Sequence, residues 1–217
     1  MLIAISARKR HGKDTVANYI VKNHEFHKYV LAAPFKQGLH KYLGFTQDQI
    51  EGVGFDREAE FSMSGEYVKH AFIKILEDQG YFASIYKVDW KPIETRSKWS
   101  VRTLMQTIGT DVGVNQVDKL IWMHPMVEFM KHHKQVIISD CRQEHEMDLM
   151  RIFGAKVIHV VNPYIENQDT HITEKGLAVY PEDKVIHNPY DPSWGSRKAA
   201  VSLLQLHTNI KSVMNEI

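Results

Sequence analysis

Leu2-Ile3-Ala4-Ile5-Ser6-Ala7-Arg8-Lys9-Arg10-His11-Gly12-Lys13-Asp14-Thr15-Val16-Ala17-Asn18-Tyr19-Ile20-Val21 is the stretch that decides the fold. Leu2 to Ser6 is a short apolar run and reads as a buried strand. From Lys13 to Val21 the apolar residues recur at helical spacing, so strand, basic loop and helix follow one another. The loop has the spacing of the phosphate-loop pattern G-x-x-x-x-G-K-[S/T], which lies between a strand and a helix. Gly12 lets the backbone bend close to an anion. The amides of Gly12, Lys13 and Asp14 would point at phosphates from a helix N-terminus, and Lys13 would reach the β- and γ-phosphates. Two positions depart from the pattern. Ala7 stands for the first glycine, and Asp14 stands where a hydroxyl residue usually binds Mg2+, with Thr15 one position later. A carboxylate can hold hydrated Mg2+ through water, so Asp14 and Thr15 both stay candidate metal contacts. The plain alternative is a basic turn before an ordinary helix, with Asp14 in its first turn.

Outward from this unit, four more apolar runs read as strands: Tyr29–Ala33, Gln135–Asp140, Lys156–Val161 and Lys184–Asn188. Helical patterns lie between them. Pro34 starts one that ends at Gly44, and Glu66 to Gln79 is another. Ser100 caps a helix closed by Gly109, and a longer pattern runs from about Asn115 to His133 with Pro125 as a kink. Glu144 to Phe153 and Ser196 to Glu216 complete the set. Alternating strands and helices imply a parallel sheet covered on both faces. Ligands of such sheets bind at the C-terminal strand ends, so the basic loop, Asp140 and Asn162-Pro163 should gather there. Thr46 to Lys98 is the least periodic part and reads as an insertion or a mobile substrate-binding segment rather than a second domain. Tyr164 to Asp183 reads as a polar excursion.

Length and composition agree with one domain of 217 residues. The 27 basic and 26 acidic side chains exclude a whole-surface grip on nucleic acid or anionic membrane, but not a local basic pocket. No apolar stretch is long enough for a membrane helix, and the N-terminal MLIAISARKRHGK lacks the order of a secretory signal. The single cysteine, Cys141, excludes an internal disulfide and fits a reducing compartment. The 13 histidines show no zinc spacing.

Asp140, at a strand end with Arg142 beside it, suits Mg2+ held through water next to a transferring phosphate. It could also cap the following helix. Trp99, Arg102 and Gln106 fall at i, i+3 and i+7, where an aromatic could stack on a base, an Arg clamp a phosphate and a Gln read a base edge. An amphipathic helix with a polar face explains them equally well. Lys36 after Pro34-Phe35, and Arg57 within Phe55-Asp56-Arg57-Glu58, could as well be surface ion pairs. His171 and Glu174 are candidate lid residues or ordinary loop residues.

These pieces together resemble the deoxynucleoside monophosphate kinases of tailed bacteriophages. The matching segments are Gly12-Lys13-Asp14-Thr15, Ala33-Pro34-Phe35-Lys36, Phe55 to Glu58, Trp99 through Gln106 to Asp111, Asp140 to Asp148, Gly154 to Val161 and Asp169 to Glu174. They follow one order over about residues 1–190, whereas Gly65 to Lys98 matches poorly. The resemblance implies a P-loop nucleoside monophosphate kinase fold, a three-layer α/β/α arrangement with a five-stranded parallel sheet and helical nucleotide-binding and lid segments. It implies one kinase domain over 1–217, with the acceptor insertion at about 45–98 and the lid at 163–183. The implied reaction moves the γ-phosphoryl of ATP, with Mg2+, to a dNMP, giving ADP and a dNDP. By motif, Arg10, His11, Gly12, Lys13, Asp14 and Thr15 would hold ATP. The dNMP would meet Lys9, Lys36, Arg57, Trp99, Arg102, Gln106, Gly109, Thr110, Asp140, Arg142 and Glu146. Lys13, Arg142 and Arg102 would be catalytic, and Asp14, Thr15 and Asp140 would serve the metal. A homodimer in the cytoplasm (the host's, if phage-encoded), with no nucleic acid or membrane as partner, completes this expectation. The rivals are a P-loop kinase for another small phosphorylated acceptor and a non-catalytic ATP-binding module of a replication complex.

Overall fold

The computed structural model describes residues 1–165 and 177–217, which form two compact units. Residues 1–31 and 126–217 make the first, residues 32–125 the second. The strands are β1 (Leu2–Ala7), β2 (His27–Tyr29), β3 (Phe61–Ser62), β4 (Lys98–Trp99), β5 (Val136–Ile138), β6 (Lys156–Val161) and β7 (Lys184–His187).

The first unit is built on one five-stranded sheet in the order β2-β5-β1-β6-β7, and every pairing in it is parallel. The predicted sheet therefore holds, and β1, with the phosphate loop at its end, is central. Ile3 and Ile5 alternate along β1 and pack in one cluster with Val16, Ala17 and Ile20 of helix α1 (Lys13–His24). Leu206 and Ile210 of helix α9 (Ser196–Met214) join the same cluster. Each fully buried aliphatic side chain in such a cluster contributes about 1.5–3 kcal/mol over leaving it in water.

One strand lies earlier than predicted. β2 covers His27–Tyr29, not Tyr29–Ala33, because its pairing with β5 starts at His27 opposite Val136. The chain has left the ladder by Leu31, whose N–H donates to the Asp140 carboxylate at 2.7 Å. Leu31 is still buried, so its apolar character shows burial without strand geometry.

The second unit carries its own core, including Phe35, Leu39, Phe72, Ile75, Trp99, Leu104, Ile108 and Trp122. Helix α2 (Ala33–Leu43) takes Pro34 in its first turn and ends at Gly44 in the left-handed region, as the sequence predicts. Helix α3 (Gln47–Glu51) follows, with Thr46 and Gln49 as a reciprocal capping box. Helix α4 (Gly65–Asp78) matches its predicted span, and a single short turn forms α5 (Lys91–Glu94). β3 and β4 pair antiparallel, Phe61 opposite Trp99, inside a stretch that showed no strand periodicity.

Helix α6 (Val101–Gln106) begins at the predicted Ser100 cap, where Ser100 and Thr103 form a capping box. Gly109 does not close it. The chain widens into a π-helix over Thr107–Val117. Gly109 and Gly113 are packing positions: a Cβ on Gly109 would meet the Phe35 ring at 3.1 Å, and one on Gly113 would meet Trp122 at 2.8 Å. The Gly109 carbonyl accepts the Trp122 indole N–H at 2.7 Å. The pattern read as one helix from Asn115 to His133 is broken at Asp118. Its backbone is extended, and its carboxylate accepts from Leu120 N–H (2.8 Å) and Tyr81 O–H (2.6 Å). Helix α7 (His124–His132) restarts there, with Pro125 in the first turn, where a missing N–H costs nothing, and not as a kink. Among the described residues no helix is long and apolar enough to cross a membrane.

Candidate active site

The phosphate loop is bent where its sequence demands. Arg10 and Gly12 both have left-handed backbones, with φ 66° and 94°. Gly12 is the N-cap of α1 and supplies no side-chain cap, so the first N–H groups of the helix keep their capacity for an anion. Gly12 is required twice over: for its φ, and because a Cβ there would lie 2.4 Å from Asn188 Nδ2. Arg8 and Arg10 are exposed, and Lys9 and Lys13 are half-buried.

Lys13 Nζ lies 2.7 Å from Asp14 Oδ2, and Lys28 Nζ lies 3.3 Å from Asp14 Oδ1. Burial pushes the Asp14 carboxyl up, but the two lysines outweigh it and hold the group below its ordinary value. Asp14 is thus a carboxylate whose two oxygens each meet a different cation. Lys28 also donates to Asn18 Oδ1 at 3.2 Å. Sequence reading missed Lys28: a single lysine on a three-residue polar strand carries no motif. Thr15 is exposed beside Asp14.

His11 is buried beneath the loop. Its Nδ1 accepts the Asn162 N–H at 3.0 Å, so the ring is neutral there. Burial, followed by the charge of Arg8, pushes its pKa down.

At the end of β5, Asp140 is buried and bonded to Leu31. The neighbouring Tyr29 phenol is pushed up to about 12 by burial, then by the Asp140 charge. Asp140 does not cap the next helix, α8 (Glu144–Ile152). Gln143 does, with Glu146 completing the capping box. Glu146, expected at the acceptor nucleotide, is buried with its Oε2 accepting from Arg142 N–H (2.7 Å) and Gln143 N–H (3.0 Å). Its carboxylate is committed to the backbone that carries Arg142. Burial pushes it up to about 7; the Arg142 amide opposes this and the Asp140 charge adds to it. Cys141 is a buried thiol, pushed up by that burial.

Among the described residues no group of three or more His, Cys, Asp or Glu side chains could hold a metal ion. Asp14 and Thr15 at an exposed helix start suit a cation bound mainly by phosphate oxygens and water, which is how Mg2+ sits beside nucleotides.

In the second unit, both carboxylate oxygens of Glu51 meet Lys36 Nζ, at 2.9 and 3.0 Å. The carbonyl of Arg57 accepts the Arg102 N–H at 2.9 Å, and Arg102 Nε lies 3.9 Å from Glu58. The structure therefore joins the Phe55–Glu58 segment to α6, two pieces that are far apart in sequence. Gln106 ends α6, and Gly109 and Thr110 are buried in the π-helix. Trp99 is a correction. It ends β4, ahead of the Ser100 cap, so it shares no helix face with Arg102 and Gln106. It is 1% exposed, with the Arg96 guanidinium 4.4 Å over its ring, and has no open face for a base. His171 and Glu174 lie outside the described residues.

A family model described as deoxynucleotide monophosphate kinase matches residues 1–191. The deoxynucleotide monophosphate kinase of Enterobacteria phage T4 is 35% identical over 221 residues, covering 86% of this chain and 92% of the relative. That of Escherichia phage RB69 is 35% identical over 230 residues, covering 86% and 93%.

Proposed function

Because the chain belongs to the deoxynucleotide monophosphate kinase family, we propose that its phosphate loop holds ATP and that polar residues of its second unit hold the acceptor. The enzyme is a phosphotransferase of the P-loop nucleoside monophosphate kinase type. It moves the γ-phosphoryl of ATP to the 5′-phosphate of a dNMP, giving ADP and a dNDP for phage DNA synthesis.

The observation that carries the donor assignment is the left-handed Gly12 at the start of α1, followed at once by Lys13. Backbone N–H groups of that turn bind the phosphates, with Arg10 and His11 in the loop preceding them. Lys13 leaves Asp14 for the β- and γ-phosphates. Mg2+, when bound, neutralises phosphate charge; Asp14 and Thr15, and Asp140 through water, are the residues that would hold it. Arg142, on a turn fixed by Glu146, neutralises charge on the transferring group. In the second unit Arg102, with Lys36, Arg57, Gln106, Gly109 and Thr110, serves the acceptor nucleotide, Arg102 by clamping its phosphate. No general base is needed, because the acceptor phosphate is already an anion. The remaining parts of the reading are a homodimer in the host cytoplasm and no direct nucleic-acid contact.

The test is turnover of dTMP, dGMP, dCMP and dAMP with Mg·ATP, against non-nucleotide phosphorylated acceptors. Consumption of at least one dNMP with matching ADP release is expected. ATP binding without any dNMP turnover would overturn the reading.

A further inference from the structure

Beneath the phosphate loop lies a closed ring of hydrogen bonds that the loop pattern does not require. Asn162 N–H donates to His11 Nδ1 at 3.0 Å, and Asn162 Nδ2 donates to the Tyr190 carbonyl at 2.7 Å. Tyr190 N–H donates to Asn188 Oδ1 at 3.2 Å, and Asn188 Nδ2 returns to the His11 carbonyl at 3.0 Å. His11, Asn162 and Asn188 are all buried, at 5%, 2% and 5% exposure. The ring joins the loop after β1 to the residues that follow β6 and β7, and Asn188 N–H is itself held by the Val161 carbonyl at 2.8 Å.

The ring acts where the loop is hardest to hold. Arg10, on one side of His11, is a non-glycine residue in the left-handed region, which persists only when its surroundings over-determine it. Gly12, on the other side, rests against Asn188 Nδ2. Both the side chain and the carbonyl of the residue between them are ring members. The direction of the loop amides is therefore set from below by Asn162 and Asn188.

We infer that His11 and Asn188 are positioning residues for the ATP phosphates: they touch no phosphate and act by fixing the backbone that does. This rests on the ATP reading of the loop. It also separates His11 from the direct phosphate contacts expected of its neighbours.

The test is ATP binding by titration calorimetry with no dNMP present, so that turnover does not enter. His11→Ala and Asn188→Ala should each weaken ATP binding about tenfold or more, as loss of a buried partner does. The double variant should bind no more weakly than the poorer single one, because one break opens the ring. His11→Gln, whose Oε1 can accept the Asn162 N–H, should recover most of the affinity, and the dNMP KM should stay within about twofold of the parent. Should His11→Ala fail to fold, His11→Gln and Asn188→Ala carry the test alone. Folded alanine variants that bind ATP as the parent does, a His11→Gln variant no better than His11→Ala, or losses that multiply in the double variant, overturn the ring's role. A parent chain that binds no ATP overturns the reading of the loop and takes the ring's role with it.

Discussion

The carboxylate of Glu146 accepts the backbone N–H of Arg142 at 2.7 Å, four residues before it in the chain. A buried acid thereby fixes the turn between β5 and α8 that presents Arg142. Its carboxyl stands at about 7 against an ordinary value of 4.5, with burial as the main cause. A raised acid favours its protonated form in the folded state. Its stabilising contribution is therefore full below pH 4.5 and is lost as pH rises to about 7. Glu146→Gln keeps the neutral form at every pH. Relative to the parent it should gain stability between pH 4.5 and 7, by at most on the order of 3 kcal/mol, and stay level above that. Urea unfolding of both proteins across this range checks it; parallel curves would falsify the shift.

Asp14 sits between Lys13 and Lys28, so Lys28 adds a cation to the phosphate loop from a different strand. Exposed ion pairs contribute little to stability, and the expected effect is on anion capture. Lys28→Met should raise the ATP KM by roughly three- to tenfold and flatten its dependence on salt, with the melting temperature hardly moved. An unchanged ATP KM and salt slope would remove Lys28 from the site.

How much of this was legible in the sequence depends on the range of the forces involved. β1, β5 and β6 are apolar runs buried in a parallel sheet, and the phosphate loop is a local motif, so both could be read directly. β2 was misplaced because its residues His27-Lys28-Tyr29 are polar while the buried Leu31 beyond them lies outside the ladder. The two-residue strands β3 and β4 exist only because Phe61 and Trp99 meet across some forty positions of chain, which no window detects. The π-helix has no composition that sets it apart from an α-helix, and the neighbours that crowd its glycines, Phe35 and Trp122, lie outside it. Of the proposed site, Lys13 is readable alone, Arg57 and Arg102 through the family's ordered segments, and Lys28, Asn188 and the ring not at all.

The two glycines of the π-helix should respond differently to alanine. At Gly113 a Cβ would come within 2.7 Å of the Ile108 carbonyl and 2.8 Å of Trp122, a backbone group and a buried indole. At Gly109 its nearest neighbours would be atoms of the Phe35 ring, at 3.1 Å and beyond. Gly113→Ala should cost about 1–3 kcal/mol by overpacking. Gly109→Ala should stay within about 1 kcal/mol of the parent, since the helical gain of alanine offsets the contact. Thermal melts of the two variants decide; the reverse ranking would count against the packing reason for both glycines.

Arg102 and Trp99 are close in sequence and should separate in function. Arg102 is tied through its backbone to Arg57, and its Nε lies 3.9 Å from Glu58; in the proposed reaction it clamps the acceptor's phosphate. Arg102→Ala should raise the dNMP KM or lower kcat by at least about tenfold and leave the ATP dissociation constant within about twofold. Trp99 is in the core, and its indole N–H has no hydrogen-bond partner among the described residues. Trp99→Phe removes that unpaired donor while losing some packing, so its stability cost should stay below about 2 kcal/mol. Its dNMP KM should match the parent's. Steady-state kinetics with dNMP and ATP varied in turn, alongside melts, separate the two residues. A Trp99→Phe enzyme of normal stability with a raised dNMP KM would return the indole to the acceptor site.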